Sequence, residues 1–273
     1  MPLILDPTGA TITANQPTMG ALRNFIGTEA KKLFQNPARW REALRPRRWR
    51  QFLDMAGFYL RTGNRWQTDS SDGSFERRVY PSYQDYLRRQ QSKLAYLDLS
   101  RYEAEYQRLL SERLAGVGDL KQGAAVLCLG ARLGAEVRAF HDRGCFAVGL
   151  DLNPGRQNRY VLHGDFHELQ FPRESADVIF SNSLDHVFAV DRFIAEVRRV
   201  LKPGGLLILE TMRGLAEGVS PDPYASFWWK SVDDVVALFG KHGFKALQRT
   251  VFAEPWPGEL LCFARHQPKG ETT

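Results

Sequence analysis

Residues Ala125 to Pro154, AVLCLGARLGAEVRAFHDRGCFAVGLDLNP, constrain this chain more than any other stretch. An apolar run of strand length leads into a turn bearing Gly130 and Gly134. A helical pattern follows, then a second apolar run ending on Asp151, twenty-one residues after Gly130. That order makes half of a nucleotide-type βαβ unit, in which a tight turn lets the backbone approach a ligand and an acidic side chain holds a ribose. The pattern continues downstream. Strands are expected at 124–129, 146–151, 160–163, 177–182, 205–211, 245–253 and 259–265, with helices near 133–143, 190–201 and 231–243. The helix at 190–201 buries Phe193, Ile194, Val197, Val200 and Leu201, and leaves Arg192 and Glu196 to pair four residues apart. Such alternation predicts a mainly parallel sheet covered on both faces, with ligands at the carboxyl ends of its strands. Between the last two strands Pro255, Pro257 and Gly258 replace a helix, so an antiparallel hairpin is expected at the edge.

Dinucleotide binding requires a bare second position in the glycine turn, so that a pyrophosphate can approach the helix start. Here that register gives Gly130, Arg132 and Ala135, which argues against NAD or FAD. No GxxxxGK[ST] run is present to cradle phosphates. From about Gln122 to Phe263 the chain instead resembles the class I S-adenosylmethionine-dependent methyltransferases, with a type 11-like domain. VLCLGARLG is similar to that family's first motif, GLDLNP to its second and HGDFHELQF to its third. DVIFSNSLDHV resembles its fourth strand and following loop, and RRVLKPGGLLILE its helix, turn and fifth strand. The resemblance implies a doubly wound α/β fold, a Rossmann-like methyltransferase with a mainly parallel seven-stranded sheet and an antiparallel C-terminal hairpin. It implies S-adenosylmethionine as cofactor, with Gly130, Ala131, Arg132 and Gly134 beneath its methionine and ribose. Asp151 and Leu152 would lie at the ribose, Asp165 and Phe166 at the adenine, and Asn182 and Ser183 at the floor of the transfer site. Three positions depart from the family pattern. Cys128 stands where an acidic residue usually ends the first strand, so the amino-acid end of the cofactor needs another partner. Arg132 replaces the middle glycine and is free to meet the cofactor's carboxylate. Only thirteen residues separate Asp151 from Asp165, room for at most one helical turn.

For the chemistry, His186 and Asp185 follow the fourth strand, where an imidazole can take a hydroxyl proton and a carboxylate can act as base or orient the ring. A packing role for this histidine is the competing reading. His163 and His167 read as structural, and HGDFH lacks the spacing of a metal site, so no metal is expected. The long connection Arg213–Ser231 carries Tyr224, Phe227, Trp228 and Trp229. Tyr224, Trp228 and Trp229 are candidates to stack on an acceptor, unless the tryptophans merely pin the connection to the core. The expected reaction is O-methylation of a small-molecule or glycan hydroxyl.

The front of the chain, 1–120, reads as a helical extension that caps the acceptor side, and 121–273 as the methyltransferase domain. Helices broken at Pro37 and Pro46 are expected up to about Tyr59, then a polar loop over Arg61–Glu76, then a longer helix from Pro81 to about Leu114. The last carries Tyr102, Tyr106, Leu109, Leu110 and Leu114 on one face. The net charge of +6 comes entirely from this front part, with 19 Lys+Arg against 13 Asp+Glu in 1–120 and 18 of each beyond. Most of the excess lies in ARWREALRPRRWR, so Arg39–Arg50 can attract an anionic ligand or membrane surface. That patch also suits two other functions: methylation of RNA, disfavoured because SNSL replaces an NPPY-like tetrapeptide, and a non-catalytic peripheral membrane or scaffold role. Three cysteines without a CxxC pair, and an N-terminus without basic lead or long apolar core, point to a reducing cytoplasmic setting.

Overall fold

The computed structural model describes residues 26–27, 46–62, 65–93 and 99–266. Residues 1–25 and most of the basic stretch lie outside the described residues. Two units are distinguished: one runs to Gln67 and resumes from Arg78 to residue 93, and the other holds Thr68–Arg77 and everything described from Leu99 onward.

In the first unit, α1 (Pro46–Thr62) begins on the proline expected to break a helix, because the missing N–H costs nothing in a first turn. Met55, Phe58 and Tyr59 form its buried face. The segment read as a polar loop contains β1 (Trp66–Thr68), which runs into the second unit, and the start of β2 (Phe75–Arg78), which belongs to the second unit up to Arg77. Then α2 (Tyr83–Ser92) is capped by Ser82, whose side chain accepts from the Asp85 N–H at 3.2 Å. From α2, Arg89 reaches Met55 Sδ and sets its guanidinium 4.4 Å from the Phe58 ring centroid. The single long helix expected after Pro81 is two, α2 and α3 (Ser100–Ala115).

In the second unit, α3 is followed by β3 (Ala125–Leu129), α4 (Ala135–Asp142), β4 (Phe146–Asp151) and β5 (Val161–His163). Next come β6 (Ala176–Ser181), α5 (Val190–Val200), β7 (Leu201–Met212), β8 (Phe227–Trp229), α6 (Val232–Lys241), β9 (Phe244–Phe252) and β10 (Gly258–Arg265). The large sheet has the order β5-β4-β3-β6-β7-β10-β9, parallel from β5 to β7, with β10 antiparallel to both of its neighbours. Strand alternation supplies two cores. Leu127, Leu129, Ile179, Leu207, Leu209, Leu261 and Phe263 face one side with α5 and α6. Val126, Cys128, Val178, Phe180, Ile208 and Cys262 face the other with α3 and α4. The face of α3 is buried at Tyr106, Leu109, Leu110 and Leu114, as its spacing predicts.

Local details differ from expectation where tertiary partners intervene. Arg192 and Glu196 do not pair: Arg192 reaches Glu168 at 3.1 Å, while Glu196 is held by Arg199 and by the Leu169 N–H at 2.7 Å. No helix covers the connection from β4 to β5, which leaves Phe146 at 76 % and Leu162 at 52 % exposure. The connection Arg213–Ser231 is not one free loop, since β8 within it pairs antiparallel with β2 from Phe75↔Trp229 to Arg77↔Phe227.

The chain steps from β3 outward through β4 to β5, then returns to β6 on the other side of β3 and proceeds to β7. The turn after β3 and the turn after β6 therefore diverge at the carboxyl edge of adjacent strands. This is the switch point, where open α/β sheets place ligands.

Candidate cofactor and acceptor site

The glycine turn is clamped from within. Both Gly130 N–H and Ala131 N–H donate to Leu150 O, at 2.8 and 3.1 Å, and Gly134 N–H donates to Ala131 O at 2.6 Å. Gly130 has φ +72°, and a Cβ added there would lie 2.5 Å from Ser183 Oγ, so the bare position admits the turn after β6. Gly134 has φ +93° and leaves room for Tyr160. Arg132 adopts φ +44° and donates its N–H to Asp151 Oδ2 at 2.9 Å. Asn153 N–H donates to the other oxygen, Oδ1, at 2.7 Å. Two backbone amides thus orient the Asp151 carboxylate at the strand tip, and each oxygen keeps a second lone pair for a vicinal diol. Leu152 and the turn residue Ala131 lie beside it, the latter fully buried.

On the expected adenine side, Asp165 Oδ1 accepts from the His167 backbone N–H at 2.9 Å and bonds His167 Nδ1 at 2.8 Å. His167 Nε2 accepts from the N–H groups of Phe188 and Ala189, at 3.1 and 3.2 Å, which puts the ring proton on Nδ1. His167 is therefore a buried strut between this loop and the start of α5. Phe166 packs its ring 5.4 Å from that of Phe193 in the core.

Across the turn, α3 and α4 bring a polar cluster that motif reading did not find. Asn182 Nδ2 donates to Tyr106 Oη at 2.7 Å and to Glu136 Oε1 at 3.0 Å. Tyr106 donates in turn to Glu210 Oε2 at 2.6 Å, and Arg113 Nε to Glu210 Oε1 at 2.5 Å. Glu103 caps the start of α4, accepting from Ala135 N–H at 3.1 Å and from Arg138 at 3.3 Å. Glu136 is 6 % exposed, and its Oε2 has no hydrogen-bond partner among the described residues. Burial, and then the nearby Glu103 charge, pushes its carboxyl up to about 8. Burial likewise raises Glu103 and Glu210, in the latter case against the opposing effect of Arg113. A carboxylate among the apolar residues Ala135, Val137, Ala139 and Phe140 was the sequence signal available for Glu136.

These acids decide what the site can hold. In dinucleotide folds a pyrophosphate sits on the first amides of this helix. Here Glu103 already takes the Ala135 N–H, and Glu136 adds a second acid to the first turn. With that amide already taken, the start of this helix is a poor phosphate cradle, whereas the lone pairs left on Asp151 suit a ribose.

On the acceptor side, Asp185 and His186 form a one-turn 3-10 helix, Leu184–His186, directly after β6. His186 Nδ1 lies 3.5 Å from Asp185 Oδ2. Asp222, from the Arg213–Ser231 connection, joins them, with one ligand-type atom of each residue within 4.8 Å of the others. Ser226 N–H donates to Asp185 O at 2.6 Å and fastens the connection there. Tyr224, Trp228 and Trp229 are not displayed at a surface: they are 6, 0 and 2 % exposed. Trp228 stacks on Trp229 at 5.0 Å, and Trp229 Nε1 donates to Met212 O at 2.9 Å. Residues 39–45 of the basic stretch lie outside the described residues. Among the described residues, no helix is long and apolar enough to cross a membrane.

A family model described as a methyltransferase domain matches residues 127–209. A probable S-adenosylmethionine-dependent methyltransferase of Mycolicibacterium smegmatis is 32% identical over 201 residues, covering 59% of this chain and 75% of that protein. A malonyl-[acyl-carrier protein] O-methyltransferase of Serratia marcescens is 31% identical over 118 residues, 40% of this chain, which spans only 46% of that relative's length. The solved 1,6-didemethyltoxoflavin-N1-methyltransferase of Burkholderia thailandensis, with S-adenosylhomocysteine bound, shares the fold at TM-score 0.55 and 15% identity, covering 74% of this chain and 99% of that one. Together with the clamped turn and Asp151, these matches establish that the chain belongs to the S-adenosylmethionine-dependent methyltransferase family.

Proposed function

We propose that this chain transfers a methyl group from S-adenosylmethionine to a hydroxyl oxygen of a small-molecule or sugar-like acceptor. The observation that carries the reading is the switch point: Asp151 at the end of β4, and the turn with Asp185 and His186 after β6, lie at the carboxyl edge of the two strands that flank β3. When bound, the cofactor supplies a methyl already activated by its sulfonium. The chain has to hold the ribose, place the acceptor and take up its proton. Asp151 suits the first task, because its backbone bonds hold it in one orientation. His186 suits the last: it is mostly buried, it adjoins Asp185, and the carboxylates of Asp185 and Asp222 stabilise the imidazolium that results.

Relatives named for transfer to oxygen, carbon and nitrogen all match this chain, so the choice of oxygen rests on these residues. A hydroxyl must lose its proton as the methyl arrives, and the His186–Asp185–Asp222 cluster offers an acceptor for that proton. Tyr224, Trp228 and Trp229 are buried, so they are not among the groups that stack on the acceptor.

Release of S-adenosylhomocysteine on addition of candidate acceptors tests the reading. His186→Ala should lower turnover by about 10²–10⁴-fold and leave S-adenosylhomocysteine affinity within about twofold. Unchanged turnover removes His186 from the reaction. Removing divalent ions with a chelator should leave the rate unchanged, and a lost rate would make the Asp185–His186–Asp222 cluster a cation site.

A further inference from the structure

We propose that Glu136 receives the α-ammonium at the amino-acid end of the cofactor, an acid supplied from the first turn of α4 instead of from the end of β3. The inference rests on the cofactor reading above and adds a contact within it. It starts from how carboxylates around the turn are used. Asp151 takes two backbone amides. Glu103 takes an amide and a guanidinium, and Glu210 is bonded at both oxygens, by Tyr106 and Arg113. Glu136 alone of these four carries an oxygen, Oε2, that is buried and unbonded, while Asn182 fixes its Oε1 at 3.0 Å.

A buried carboxylate oxygen without a partner is costly, so a donor from outside the chain is the compensation to look for. The donor's charge follows from the surroundings. Burial holds the Glu136 carboxyl protonated until a cation arrives to stabilise its charge. An ammonium brings three N–H donors and the charge that restores the carboxylate. Cys128, at the end of β3, offers no such partner: its thiol is fully buried and raised by that burial. Arg132 acts on both Glu103 and Glu136 electrostatically and lies 5.9 Å from the Tyr102 ring, which places a cation near enough for the carboxylate of the same zwitterion.

Calorimetric titration of the full chain with two ligands decides the matter: S-adenosylhomocysteine and its deaminated analogue, which keeps the carboxylate and loses only the ammonium. The wild type should bind the first at least about tenfold more tightly, the lower end for a charge-assisted hydrogen bond. Glu136→Gln should bring the two affinities within about threefold while holding that of the deaminated analogue, and Glu103→Gln should keep the preference. If Glu136→Gln fails to fold by circular dichroism, Glu136→Asp replaces it and must still shrink the ratio. Equal affinities in the wild type overturn the proposal without any variant, and so does a preference that survives Glu136→Gln or disappears only in Glu103→Gln. A wild type that binds neither ligand overturns the cofactor reading itself.

Discussion

Two carboxylates flank the same glycine turn and are treated in opposite ways. Asp151, half-buried at the tip of β4, receives two backbone N–H groups from residues close to it in the βαβ unit. Glu136, buried on α4, receives one side-chain amide from Asn182, forty-six residues away, and leaves an oxygen unmatched. The first arrangement is complete before any ligand arrives and fixes an orientation. The second is incomplete, with one buried oxygen left unbonded. Under the functions proposed above, one side of the turn would grip neutral hydroxyls rigidly and the other would respond to the charge of its ligand.

The sharpest way to break this contrast is Asp151→Ala. Losing charge-assisted bonds to two hydroxyls should weaken S-adenosylhomocysteine binding by about 100-fold or more in calorimetry. A change under threefold would show that the strand tip does not hold the ribose. Next in size is Gly130→Ala, which forces a side chain into a left-handed conformation and against Ser183 Oγ. It should cost about 2 to 4 kcal/mol in urea denaturation, with Ser183→Gly recovering the steric part and not the backbone part.

A third test addresses Glu136 in the absence of ligand. Its carboxyl is raised from the ordinary 4.5 to about 8, so the folded state holds a proton that the unfolded state has lost across that window. Stability attributable to this group is therefore intact below about 4.5 and falls as pH rises towards 8, by at most about 1.4 kcal/mol per pH unit. Glu136→Gln should remove that fall and gain stability relative to wild type between pH 6 and pH 8. Parallel curves for the two proteins would mean that the buried acid is compensated. The smallest effect expected is from Glu103→Gln. Removing the neighbouring charge should move the end of the Glu136 slope downward by less than about one pH unit.

The two sides of the turn also differ in how far they could be read in advance. Gly130, Gly134 and Asp151 belong to a pattern fixed by short-range geometry, and strand alternation placed β3, β4, β6 and β10 within a residue or two. The Glu136–Asn182–Tyr106–Glu210–Arg113 cluster joins α3, α4, the turn after β6 and β7. None of its spacings repeats, so no periodicity announces it. The front hairpin strand was hidden for a related reason: in β2 the sequence FERR is half basic, and its strand character comes from pairing with Phe227–Trp229. The stretch from Pro81 to Leu114 looked continuous because its apolar spacing is helical throughout, yet it forms two helices.

Alternation of apolar residues, the glycine turn and an acid twenty-one residues later determined by themselves an α/β sheet with a ligand edge, because those features act over distances that the chain fixes locally. Which charges meet at that edge was decided only by tertiary structure. Glu103 comes to cap α4, Glu136 to lie unbonded beside Asn182, and Asp222 to close on His186, each across a separation that backbone geometry alone does not specify.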